Sequence, residues 1–182
     1  MLFRSQKMVI LDVPADQVDA LVADLDAAGL PARPSVFRRH TMACTGIEFC
    51  KLAIVETKQR AADAIAELER RLPGFDQPVT INVNGCPNSC ARIQTADIGL
   101  KGSLVTGPDG NQVEGFQIHL GGTLSGGDGT GSGFGRKVRG LKTTAENLPG
   151  YLERVLRHYD TGRLDGETFA DWAARAPEEE LR

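Results

Sequence analysis

The chain has 182 residues, 41% of them hydrophobic and 25% charged, with a formal net charge of −3. That length suits one domain with room for a small appended unit. The acidic balance argues against a general nucleic-acid binder, which is normally basic, and no apolar run reaches the roughly 20 residues of a membrane-crossing helix.

The first residues, Met-Leu-Phe-Arg-Ser-Gln-Lys, carry no apolar core and no small-residue cleavage site, so no export signal is read there and a cytoplasmic location is expected. Thiols stay reduced in that compartment, which directs cysteines toward metal or catalytic work rather than disulfides. Residues 8–13 (Met-Val-Ile-Leu-Asp-Val) form a short apolar run read as a strand, stopped by Pro14. Val18, Leu21, Val22 and Leu25 then recur at helical spacing, with Gly29 as the stop. Residues 30–40, with Pro31 and Pro34, read as a linker. Residues 44–50 form a loop turning at Gly46. Residues 51–72 read as one long helix whose apolar face is Leu52, Val55, Ala62, Ile65 and Leu68, with Glu67, Glu69, Arg70 and Arg71 solvated. Pro73 and Gly74 end it.

Val79, Ile81 and Val83 alternate with polar residues, the period of a half-buried strand. Residues 98–105 and 113–120 predict a hairpin across the turn signal Pro108-Asp-Gly-Asn111. Nine of the twenty residues from Gly121 to Gly140 are glycine. That composition suits either a surface loop or a backbone that approaches a large flat ligand closely. Residues 148–159 read as a helix with Leu152, Val155 and Leu156 inward, and residues 167–176, with Trp172, as another. The charged tail 177–182 is expected to fray.

The chain has four cysteines, Cys44, Cys50, Cys86 and Cys90, spaced C-x5-C and C-x3-C with 35 residues between the pairs. Four cysteines without a companion histidine are the ligand set of a cubane iron–sulfur cluster or of a structural zinc site. Zinc sites favour C-x2-C to C-x4-C at both ends, which the first pair fits poorly. Gly85 before Cys86 lets backbone crowd a cluster, and Pro87 after it stiffens the turn. The neighbours Thr41, Met42, Ala43, Thr45, Ile47 and Phe49 are uncharged, Glu48 excepted, which suits a buried redox centre.

Residues 41–58 (Thr-Met-Ala-Cys-Thr-Gly-Ile-Glu-Phe-Cys-Lys-Leu-Ala-Ile-Val-Glu-Thr-Lys) and 84–92 (Asn-Gly-Cys-Pro-Asn-Ser-Cys-Ala-Arg) closely resemble the siroheme and [4Fe–4S] signature of the ferredoxin-dependent nitrite and sulfite reductases. The similarity is closest to the actinobacterial-type ferredoxin–sulfite reductases. It runs on through Gly99-Leu-Lys-Gly102, residues 116–122 (Phe-Gln-Ile-His-Leu-Gly-Gly) and Phe134-Gly-Arg-Lys137. The resemblance implies an α+β fold corresponding to the second half of such an enzyme. Residues 1–36 would be part of a ferredoxin-like half-domain, 37–160 a siroheme and [4Fe–4S] binding domain, and 161–182 a helical tail. Cys44, Cys50, Cys86 and Cys90 would hold the cluster. Cys90 would also be the axial ligand of the siroheme iron, bridging the two centres. The implied reaction is assimilatory six-electron reduction of sulfite to sulfide, with nitrite to ammonia as the alternative and ferredoxin as electron donor. A non-catalytic iron–sulfur electron carrier is a third reading. Family members are built from two similar halves, and most of the basic residues that grip substrate lie in the first. No catalytic residue is therefore carried over, and a first half, in the same chain or as a separate subunit, is expected to complete the enzyme.

Two basic runs stand apart: Arg38, Arg39 and His40 before the first cysteine loop, and Arg136, Lys137, Arg139 and Lys142 after the glycines. They read as solvated surface, or as contacts for siroheme carboxylates or an acidic ferredoxin. Arg92 reads either as a hydrogen-bond donor near the porphyrin or as half of an ion pair. His119 reads as a core or surface residue rather than a ligand. Asn84 and Asn88 are expected to make local turn bonds.

Overall fold

The computed structural model describes residues 9–124, 133–136 and 138–182. The chain divides into two units, Met1–Ser35 and Val36–Arg182. In the first, a 3-10 turn over Ala15–Gln17 leads into helix α1, Val18–Ala27. Gly29, at φ +75°, takes the left-handed position that ends the helix, and Leu30 N–H closes onto Leu25 O at 2.8 Å. The strand expected over residues 8–13 does not form across 9–13, its described part. Asp12 sits at φ +58° and breaks the extended run. Val9, Ile10 and Leu11 are exposed, and a strand needs a ladder partner that the described residues of this unit do not supply.

The second unit is built on one five-stranded sheet whose strands lie side by side in chain order. It opens with a short helix, α2, over Val36–His40, where a linker was expected. Phe37 is buried and stacks on Phe75 with ring centroids 5.3 Å apart, so apolar burial overrides the proline punctuation upstream. Strand β1, Thr41–Ala43, follows directly. Helix α3 then covers only Lys58–Arg71, not residues 51–72. Two causes are visible. Ile54 and Val55 donate their N–H groups to Gly85 O, at 2.7 and 3.4 Å, instead of to a preceding turn. The Glu56 carboxylate accepts from the N–H groups of Lys58, Gln59 and Arg60 and so fixes the helix start there. The buried face consequently shifts to Ala61, Ala64 and Leu68, while Leu52 and Ala62 are exposed.

Strand β2, Ile81–Asn84, is buried at every position rather than half-buried, because it lies between β1 and β3 and pairs in parallel with both. Strands β3, Ile98–Thr106, and β4, Gln112–Leu120, form the expected hairpin, in antiparallel register from Ile98 opposite Leu120 to Thr106 opposite Gln112. Strand β5, Lys142–Thr144, completes the sheet beside β4. Residues 125–132 and 137 of the glycine-rich tract lie outside the described residues, and with them most of what its two readings concern. Its flanks are tied by the bridges Leu120–Arg136 and Thr123–Gly133.

Helix α4, Leu148–Gly162, buries Leu152, Val155 and Leu156 as expected. It packs beside α3 through Arg71, which reaches Glu153 at 3.0 Å. Helix α5, Phe169–Arg175, is capped by the Thr168 hydroxyl, which accepts from Asp171 N–H. Its Trp172 is fully buried in an aromatic cluster with Tyr159 and Phe169. The tail does not fray: Glu178–Leu181 forms helix α6, Leu181 is fully buried, and Tyr151 Oη donates to Leu181 O at 2.9 Å.

Candidate metal centre

Parallel pairing puts the two cysteine segments next to each other. Met42 and Ala43 stand opposite Asn82 and Val83, so the loops that carry Cys44 and Cys86 leave the same end of adjacent strands. Cys44 N–H continues the ladder to Val83 O at 2.9 Å, and Gly85 N–H donates to Cys44 Sγ at 3.2 Å. The loop carrying Cys50 turns at Gly46 (φ +76°), where Cys50 N–H reaches Gly46 O. It returns to Gly85 O through Ile54 and Val55. Gly85 is therefore the joint between the two loops, bonded to the first at three points.

Three further residues hold this joint. The Thr57 hydroxyl, fully buried, donates to Cys44 O at 2.7 Å and lies 3.8 Å from Cys44 Sγ. Asn84, also fully buried, spans the second loop, accepting from Ala91 N–H at 2.9 Å and donating to Cys86 O at 2.7 Å. Ser89 and Arg92 hold left-handed backbone, φ +58° and +56°, unusual for side-chain-bearing residues. The Ser89 hydroxyl fixes that turn by accepting from Ile93 N–H and bonding to Gln94 Oε1. A Cβ on Gly99 would lie 1.9 Å from Ile93 O, so only glycine lets β3 pass beneath this turn.

All four cysteines are free thiols; Cys86 is buried, Cys44 and Cys50 are half-buried and Cys90 is exposed. Among the described residues no three His, Cys, Asp or Glu side chains stand together as a ready-made metal-binding group. The structure thus brings the two loops into contact without drawing their thiols around one point. The donor chemistry still suits a thiolate-ligated centre: four sulfurs on two rigidly joined loops, with one backbone N–H already aimed at a sulfur. Ile47, Phe49, Leu52 and Ile54 expose apolar surface beside Cys50.

The other singled-out residues divide. Arg38 is committed to Glu69 in a two-pronged pair at 2.7 and 2.9 Å. Arg136 donates to the carbonyls of Ala173 and Ala176 at the end of α5 and pairs with Glu178. Arg39, Arg139 and Lys142 are exposed, and Lys137 lies outside the described residues. Arg92 is exposed, with its guanidinium 3.9 Å from Met42 Sδ. His119 is buried in β4. Asn84 makes the local turn bonds expected of it, whereas sequence reasoning missed Thr57 and Ser89, whose roles depend on loop contacts.

The nitrite and sulphite reductase 4Fe-4S domain family matches residues 37–182. Sulfite reductase [ferredoxin] 1 of Mycolicibacterium paratuberculosis is 60% identical over 97% of this chain, which spans 32% of that relative. The chloroplastic ferredoxin–nitrite reductase of Zea mays is 43% identical over 65% of this chain and 21% of its own length. The solved structure of the Mycobacterium tuberculosis NirA protein superposes with a TM-score of 0.92 at 52% identity, covering 100% of this chain and 33% of that one. Dissimilatory sulfite reductase I shares the fold at a TM-score of 0.68 and 11% identity. The chain thus spans about a third of the length of the mycobacterial relatives just described.

Proposed function

The chain belongs to the nitrite and sulphite reductase 4Fe-4S domain family, and from that premise we propose that it is the cluster-bearing part of an assimilatory ferredoxin-dependent sulfite reductase. Cys44, Cys50, Cys86 and Cys90 are its [4Fe–4S] ligands, and Cys90 is shared with a siroheme iron. The observation that carries this reading is the junction at Gly85, which joins a C-x5-C loop to a C-x3-C loop and donates an N–H to a sulfur. Such donors stabilise thiolate charge. The exposure of Cys90 supports its separate role, since only a sulfur open to its surroundings can serve a second group while Cys86 stays buried. When bound, the cluster and siroheme supply one-electron transfer and the six-electron reduction of sulfite. The chain's own residues hold four sulfurs in place and present an apolar rim, Ile47, Phe49, Leu52 and Ile54, that excludes water once covered. Most of the substrate-binding residues belong with the two thirds of the relatives' length that this chain does not span. Sulfite is favoured over nitrite by the higher identity to the mycobacterial relative. A cytoplasmic location accords with free thiols.

The test is anaerobic reconstitution with iron, sulfide and siroheme. Uptake of about four iron and four sulfide per chain is expected, with a tetrapyrrole spectrum that changes in Cys90→Ser. A chain that binds zinc and takes up no iron would overturn the cluster assignment, and an unperturbed siroheme spectrum in Cys90→Ser would overturn the bridge.

A further inference from the structure

We propose that Asn84 is a positioning residue of the cysteine centre: its amide closes the loop that carries Cys86 and Cys90 and aims a donor at the Cys86 sulfur. Asn84 ends β2 with no exposed surface. A buried amide is costly unless both of its ends are satisfied, and here both are satisfied by one loop. Oδ1 accepts from Ala91 N–H at 2.9 Å, and Nδ2 donates to Cys86 O at 2.7 Å with Cys86 Sγ at 3.9 Å. The amide therefore clamps the loop at its first residue and just past its last cysteine. That loop needs a clamp, because Ser89 and, directly after the span, Arg92 sit in left-handed backbone, which is strained for residues that carry a side chain.

The donor has a second consequence, which rests on the cluster assignment above. A hydrogen bond to a ligand sulfur strengthens as negative charge accumulates there, so it favours the reduced centre and raises its potential. Asn84→Asp keeps the acceptor for Ala91 N–H, removes the donor and adds negative charge beside the sulfur. Asn84→Ala removes both bonds.

Two measurements decide the matter. In the metal-free chain, alkylation of Cys86 by iodoacetamide, read by mass spectrometry, is expected to be at least about five- to tenfold faster in Asn84→Ala, since one lost buried hydrogen bond sets a scale of that size and two are lost here. In Asn84→Asp, which keeps the bond from Ala91 N–H but loses the one to Cys86 O, the rate is expected to lie between those of the parent and Asn84→Ala. In the chain reconstituted with iron and sulfide, Asn84→Asp is expected to take up the cluster and to show a lower midpoint potential. Equal Cys86 alkylation in parent and Asn84→Ala would overturn the clamp, and a parental potential in Asn84→Asp would overturn the donor role. If Asn84→Ala does not fold, Asn84→Asp decides the question through its potential. If the parent chain takes up no cluster, the cluster assignment fails, while the alkylation rates still decide whether Asn84 closes the loop.

Discussion

Gly102→Ala strikes the cysteine centre without touching a cysteine. A Cβ at Gly102 would stand 2.6 Å from the carbonyl carbon and oxygen of Gly85 and 2.6 Å from Val55 Cγ2. Non-bonded carbons settle at about 3.5–4.0 Å, so roughly 1 Å of room must be found. Strand β3 cannot supply it, because Gly102 is paired with Phe116 of β4 and the residue before it, Lys101, with Asn84 of β2. The displacement falls on Gly85, whose N–H serves Cys44 Sγ and whose carbonyl anchors Ile54 and Val55. Overpacking of this kind costs about 2 kcal/mol. With a urea m-value of about 2 kcal/mol/M for a domain of this size, the unfolding midpoint should fall by about 1 M. Iron uptake on reconstitution should fall with it. Gly110→Ala is the control: nothing lies within 4 Å of its Cβ, and its φ of +81° alone sets the cost, about 1 kcal/mol of backbone strain. That variant should lose about half as much in midpoint and keep full iron uptake. A Gly102→Ala midpoint within about 0.2 M of the parent, at unchanged m, would refute the reasoning.

Glu56→Ala removes the acceptor for three amide N–H groups at the start of α3. It should cost about 1–2 kcal/mol, a Tm lower by roughly 3–8 °C for a chain of this length, with a smaller loss in Glu56→Gln. Glu167 is held at about 2, from an ordinary 4.5, chiefly by the hydrogen bond from Arg175. Its folded value lies below its unfolded one, so its contribution is complete above about pH 4.5 and is lost as pH falls toward 2. Acid titration of Glu167→Gln should show a shallower loss of stability across that window than the parent, and an identical acid limb would contradict the pairing.

The hairpin, the α4 helix and the two cysteine loops were legible in the sequence because their signals are local: alternation, helical spacing, turn residues, paired cysteines. The start of α3 was not. Residues 51–57 carry helix-like apolar spacing, but the N–H groups of Ile54 and Val55 are claimed by Gly85, some thirty positions on, and that of Glu56 by Glu114. Helix α2 and the ordered tail were missed for the same reason, since Phe37 depends on Phe75 and Leu181 on Tyr151. The run from 9 to 13 failed in the opposite sense: its composition is that of a strand, but Asp12 turns left-handed and the described residues offer no ladder. At the site the paired cysteines and the local turn bonds of Asn84 were legible, whereas Thr57 was not, because its bond to Cys44 O forms only when the loop from 44 to 57 folds back on itself.

The parallel pairing of β1 with β2 also ties the cysteine loops to a long-range connection. A parallel pair cannot close through a tight turn; here the connection from Thr41–Ala43 to Ile81–Asn84 runs through helix α3. The C-x5-C and C-x3-C loops therefore come together only through that crossover: whatever disturbs the docking of α3 against the sheet also separates the two thiol pairs.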